Sequence, residues 1–123
     1  MSFVLIVEDD RMLGRLLRDQ LIKAGYHSEW ADSINKATDI LSKEKVDLVY
    51  LDINLGQDNG MHLLRYIKSD KHLKNISVIM LSNEGQLEKL DAASESGATD
   101  FVVKAAIDFD KFVELTKSKL PVY

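Results

Sequence analysis

The sequence predicts one α/β domain: a doubly wound, five-stranded parallel sheet with helices on both faces. Three observations predict it. Short apolar runs alternate with helix-period stretches along all 123 residues, the mark of repeated βα units. The runs over residues 3–7 and 48–51 are continuously apolar, as suits parallel strands covered on both faces. Four runs end on a group able to handle a phosphoryl group or a metal: Val7 precedes Glu8-Asp9-Asp10, Leu51 precedes Asp52, Leu81 precedes Ser82, and Val103 precedes Lys104. If these runs are parallel strands, all four groups emerge along the sheet edge where open α/β sheets bind ligands.

The elements follow in order. Residues 3–7 read as a buried strand. Met12, Leu13, Leu16, Leu17 and Leu21 recur at helical spacing over 11–24, and Gly25 offers a stop. Residues 27–30 are a weak strand, suited to an edge. Ser33 can cap a helix over 34–43, with Ile34, Ala37, Ile40 and Leu41 on one face. Residues 47–51 are a second buried strand, Gly56 to Gly60 a loop, and 61–69 a helix. Residues 76–81 are a strand, 84–95 a helix stopped near Gly97, 100–103 a strand, and 108–120 the last helix. Right-handed crossovers leave few topologies. Order 2-1-3-4-5 keeps the weak second strand outermost and places the switch point between strands 1 and 3, which end on Glu8-Asp9 and Asp52.

Bulk composition narrows the function. The apolar fraction of 46% suits a globular core, and the length suits one domain over 1–123. Without cysteine there is no disulfide or thiolate metal site. A net charge of −4 argues against a nucleic-acid footprint. No apolar stretch approaches the ~20 residues of a membrane span, and no leader pattern precedes residue 3. The expected location is cytoplasmic. His27, His62 and His72 fit no ligand spacing.

Each chemical group also has a plainer reading. Asp10 can cap the following helix, where an acid is favoured; that leaves Glu8 unexplained. Clustered carboxylates repel unless a cation sits among them, and Mg²⁺, which prefers oxygen ligands, would settle them. Asp52 could cap the next segment, or serve as a carboxylate nucleophile towards phosphorus. Lys104 could be a solvated lysine, or a point charge for a phosphate. Ser82 could cap a helix, or donate to a phosphate oxygen. Taken together, at strand ends on one βα repeat, they favour a site.

Leu5-Ile-Val-Glu-Asp-Asp10, Asp47-Leu-Val-Tyr-Leu-Asp52, Val78-Ile-Met-Leu-Ser82 and Gly97-Ala-Thr-Asp-Phe-Val-Val-Lys104 together resemble the receiver domain of bacterial two-component response regulators, over essentially the whole chain. The resemblance implies a flavodoxin-like fold. It implies Asp52 as phosphoacceptor, Asp9 as a direct Mg²⁺ ligand, Glu8 as one acting through water, and the Asn54 carbonyl as another. It implies Lys104 as the phosphoryl partner, Ser82 as the hydroxyl that swings in, and Phe101 as the aromatic switch. Asn54 and Glu84 would flank the path of the hydrolytic water, as in the fast-resetting chemotaxis regulators. Gly60 matches the glycine after the phosphorylation loop. Two departures stand out: Lys104 is followed by Ala105 where the family usually has a cis proline, and Gly56 stands where the family usually has proline. A trans Lys104–Ala105 bond is expected, since a non-proline cis bond costs about 3 kcal/mol.

The implied function is acceptance of a phosphoryl group from a sensor histidine kinase or phosphotransfer protein. A switched surface over helix 4, strand 5 and helix 5 would then meet a downstream partner. The domain would assist its own transfer and dephosphorylation without being an enzyme, either stand-alone or ahead of an effector domain. Thr99 replaces an acid of the dimerising branch and residues 105–123 lack arginine, so a monomer or weak dimer is expected. One competing reading is a binding module that no longer takes phosphate. Another is an aspartate-nucleophile phosphatase, which would need an acid where Asn54 stands.

Overall fold

A computed structural model describes residues 1–56, 58–83 and 87–120. The five strands of the main sheet are β1 (Phe3–Val7), β2 (His27–Ala31), β3 (Leu48–Asp52), β4 (Ser77–Ser82) and β5 (Asp100–Val103). All neighbours pair in parallel, in the order β2-β1-β3-β4-β5, as the sequence predicts. The helices are α1 (Arg11–Lys23), α2 (Ile34–Lys43), α3 (Gly60–Ser69), α4 (Leu87–Glu95) and α5 (Phe109–Lys119).

Period-two alternation divides the strand residues between two cores. Leu5, Val7, Val49, Leu51, Val78 and Met80 face Ala37, Leu41, Leu63, Leu64, Ile67 and Ala93 of α2, α3 and α4. Val4, Ile6, Leu48, Tyr50, Ile79 and Leu81 face Leu17, Leu21 and Phe112 of α1 and α5. Two covered faces explain why β1 and β3 are buried at every residue. α5 is also pinned by polar contacts. The Tyr50 hydroxyl lies 2.6 Å from Thr116 Oγ1, and the Tyr26 hydroxyl donates to the Leu120 carbonyl.

The helix starts follow their caps. Asp10 Oδ1 accepts from Leu13 N, Ser33 Oγ from Lys36 N, Asn59 Oδ1 from Met61 N, and Asp108 Oδ1 from Lys111 N, each satisfying an N–H with no partner inside its helix. Gly25 takes φ 102°, closing α1 in a conformation other residues resist.

Three details differ from the sequence reading. The 56–60 loop is partly ordered by pairing: Asn54–Leu55 and Asp58–Asn59 form a two-residue antiparallel ladder. Met12 and Leu16 are exposed, at 73% and 41%, while Leu17 and Leu21 carry the buried stripe of α1. Strand 5 continues into a 3₁₀ turn over Lys104–Ala106. No peptide bond among the described residues is cis, so Lys104–Ala105 is trans as expected. No helix among them is long and apolar enough to cross a membrane.

Candidate functional site

The carboxyl edge of the sheet gathers its charged groups at the switch point. Glu8 directly follows β1, Asp52 ends β3, and Lys104 directly follows β5. Lys104 Nζ lies 2.6 Å from Glu8 Oε1 and 2.8 Å from Asp52 Oδ2. Glu8 is 0% exposed and Asp52 2%. Apart from this ammonium, neither of those two oxygens has a hydrogen-bond partner among the described residues.

Two buried carboxylates share one ammonium, and the electrostatics show the shortfall. Burial pushes Glu8 up from 4.5 to about 8, the neighbouring Asp52 adds to the rise, and Lys104 only partly opposes it. Burial also raises Asp52, against the pull of Glu8 and Lys104. For Lys104 burial acts downward, but contacts with Asp52 and Glu8 outweigh it and the ammonium is stabilised. Asp9 lies nearer solvent. Burial acts upward there too, yet its interactions with Glu8 and Asp52 and the hydrogen bond from the Gly56 N–H hold it below the usual range. Burial and mutual repulsion therefore leave these acids short of positive charge.

That is the test for a hard cation, and the residues pass it. Glu8, Asp9 and Asp52 each offer a carboxylate oxygen, all within 4.8 Å of one another. Oxygen-only donors suit a magnesium-like ion. The backbone supports the set. Gly56 N donates to Asp9 Oδ2 at 2.9 Å, a bond that a proline at 56 could not make. Asp10 N donates to Glu8 Oε2 at 3.1 Å, and Asn54 N to Asp52 Oδ1 at 3.1 Å. Gly60 lets α3 begin against the site, since a Cβ there would overlap the Asp52 carbonyl oxygen.

The remaining predicted residues are placed less tightly. Ser82 ends β4, one register step past the Leu81 that faces Asp52. Its hydroxyl is buried and has no hydrogen-bond partner among the described residues, an unusual state for a buried polar atom. Phe101 sits on β5, 49% exposed, at the rim of a cavity of about 290 Å³ between α4 and β5, lined also by Met80, Leu90 and Ala98. Asn54 is exposed, and its Oδ1 accepts from Lys89 Nζ of α4 at 3.3 Å. Glu84 lies outside the described residues.

Sequence reasoning missed the groups that hold the acidic loop from behind. Trp30, on β2, donates through Nε1 to the Glu8 carbonyl at 2.7 Å. Lys89 was missed as well, because its contact with Asn54 joins positions far apart in the chain. A signal for Trp30 was present in Gly14, a glycine in mid-helix that asks for a packing reason.

Comparison with known proteins finds related chains. The family model for the response regulator receiver domain matches residues 4–117. The chain is 32% identical over 119 residues to sporulation initiation phosphotransferase F of Bacillus subtilis, covering 97% of this chain and 94% of that protein. It is 30% identical over 102 residues to chemotaxis protein CheY-3 of Vibrio cholerae, covering 82% and 78%. Among solved structures it is similar to the receiver domain of NtrX from Brucella abortus, with TM-score 0.87, 27% identity, and 98% and 99% of the two chains covered.

Proposed function

The chain belongs to the response regulator receiver family, and from that premise we propose that Asp52 accepts a phosphoryl group from a phosphohistidine of a kinase or phosphotransfer protein. The observation that carries this reading is the buried Asp52 carboxylate, held by Lys104 beside Glu8 and Asp9 at the switch point.

In the proposed step an Asp52 carboxylate oxygen attacks phosphorus in line. A P–O bond forms, the P–N bond to the donor imidazole breaks, and that imidazole regains a proton. Bound Mg²⁺, held by Asp9, Asp52, the Asn54 carbonyl and Glu8 through water, would neutralise charge on the phosphoryl oxygens. Lys104, already against Asp52, would follow charge onto the new phosphoryl group. The unpartnered Ser82 hydroxyl can donate to a phosphoryl oxygen. That movement would bias Phe101 and the α4–β5–α5 surface between two states, a population shift that a downstream partner reads. The domain is read as cytoplasmic, monomeric or weakly dimeric, and spanning the whole of 1–123.

The test is incubation with acetyl phosphate and Mg²⁺, followed by intact-mass measurement. The parent should gain one phosphoryl group and Asp52→Asn none; equal labelling of both would refute the assignment. After donor removal the label should decay quickly in the parent and more slowly in Asn54→Arg, whose long side chain obstructs the water beside the acceptor.

A further inference from the structure

We propose that Trp30 is a positioning residue for the metal-binding loop: its indole N–H fixes the Glu8–Asp9 peptide and so sets the affinity for Mg²⁺. The proposal rests on the metal reading above, and on observations away from the acids themselves.

Glu8 has both its main-chain groups satisfied from the end of one neighbouring strand. Its N–H donates to the Ala31 carbonyl at 3.0 Å. Its carbonyl accepts from Trp30 Nε1 at 2.7 Å. The first of these extends the parallel β1–β2 pairing, in which Val7 faces Ala31. The second does not belong to any ladder. It is a side chain from β2 reaching across to the loop that carries Glu8 and Asp9.

α1 is shaped to admit that reach. A Cβ at Gly14 would collide with Nε1 and Cδ1 of Trp30. Glycine in a helix interior is unfavourable relative to alanine, and here the space it leaves is filled by the indole. Arg15, the next residue of α1, places its guanidinium 5.8 Å from the Trp30 ring centroid, within cation–π range. Glycine, arginine and strand together hold one ring in one orientation, with its single donor on the Glu8 carbonyl. Groups that orient metal ligands from behind typically change metal affinity 10–100-fold when removed. A hydrogen bond to the ligand's backbone, one step further from the ion, belongs at the lower end of that range.

The experiment is calorimetric titration of Mg²⁺ into the parent and Trp30→Phe, with urea denaturation of both metal-free proteins. Phenylalanine keeps a ring and removes the donor. The expected result is a folded variant whose Mg²⁺ dissociation constant is raised about tenfold. A folded Trp30→Phe that binds Mg²⁺ as tightly as the parent overturns the proposal. If that variant does not fold, the parent decides by NMR. The Trp30 indole N–H should be protected from exchange and its resonance should move as Mg²⁺ saturates; an indole signal indifferent to Mg²⁺ while the amides of residues 8–10 shift overturns it as well. A parent that binds no Mg²⁺ refutes the metal reading itself, which separates that failure from failure of the positioning role.

Discussion

The centre of the sheet and its β5 edge are built to opposite rules. Every residue of β1 and β3 is buried, whereas no residue of β5 is. The acids sit at the ends of the two most enclosed strands, and Phe101 sits half-exposed on the least enclosed one. α3 buries five residues against the centre, while among the described residues of α4 only Ala93 is buried. A site that must hold charged groups within 3 Å of each other needs a scaffold that cannot relax. A surface that must change needs one lightly held. Under the function proposed above, the two buried acids belong to the rigid centre and Phe101 to the lightly held edge, from which Lys104 alone reaches back to the acids.

The largest stability effect should come from breaking the centre. Leu51→Ala removes a fully buried side chain one residue before Asp52. It should cost about 2–5 kcal/mol in urea denaturation. A loss below about 1 kcal/mol would mean that the centre is not the rigid half.

The second prediction concerns pH. Folded Glu8 holds its proton up to about 8 against an ordinary 4.5, and Asp52 is raised as well. Between those values the folded state binds more protons than the unfolded chain, so stability falls as pH rises. The metal-free protein should therefore lose denaturation midpoint from roughly pH 5 to pH 8. Millimolar Mg²⁺ should restore more of it at the upper end, since the cation takes over from the proton. A metal-free midpoint that climbs across this window would contradict the shared-charge picture of the site.

The smallest effect belongs to the edge. Phe101→Ala should change stability by less than about 1 kcal/mol, because half the ring already meets solvent. It should also leave labelling of Asp52 by acetyl phosphate at the parent rate. A strongly destabilised Phe101→Ala would place this ring in the scaffold and erase the contrast.

Much of the centre was legible before any coordinates, for a physical reason. Continuous apolar runs such as Leu48–Leu51 have few places to go other than a doubly covered strand. A charged residue directly after one must lie at the sheet edge. Glu8, Asp52 and Lys104 were therefore found by position alone. What stayed hidden depends on contacts between distant segments. Helical spacing grouped Met12 and Leu16 with the buried stripe, but a stripe has a width, and only packing against the sheet shows which members fall outside it. The indole of Trp30 and the ammonium of Lys89 each reach a residue many positions away, and no local pattern records that. Gly56 read as a missing proline; in the fold it is the donor that holds Asp9.

The ion pair between Lys104 and the acids also has a consequence for synthesis. A ribosome delivers Glu8 and Asp9 first, Asp52 next and Lys104 fifty-two residues later. At about 5–20 residues per second, Asp52 waits a few seconds for its lysine. Through that interval the nascent chain can lay β1 beside β3 only by bringing together carboxylates that no side-chain cation yet balances. Adding β5 supplies both the edge strand and the one ammonium that the two buried acids share, before α5 packs over the sheet.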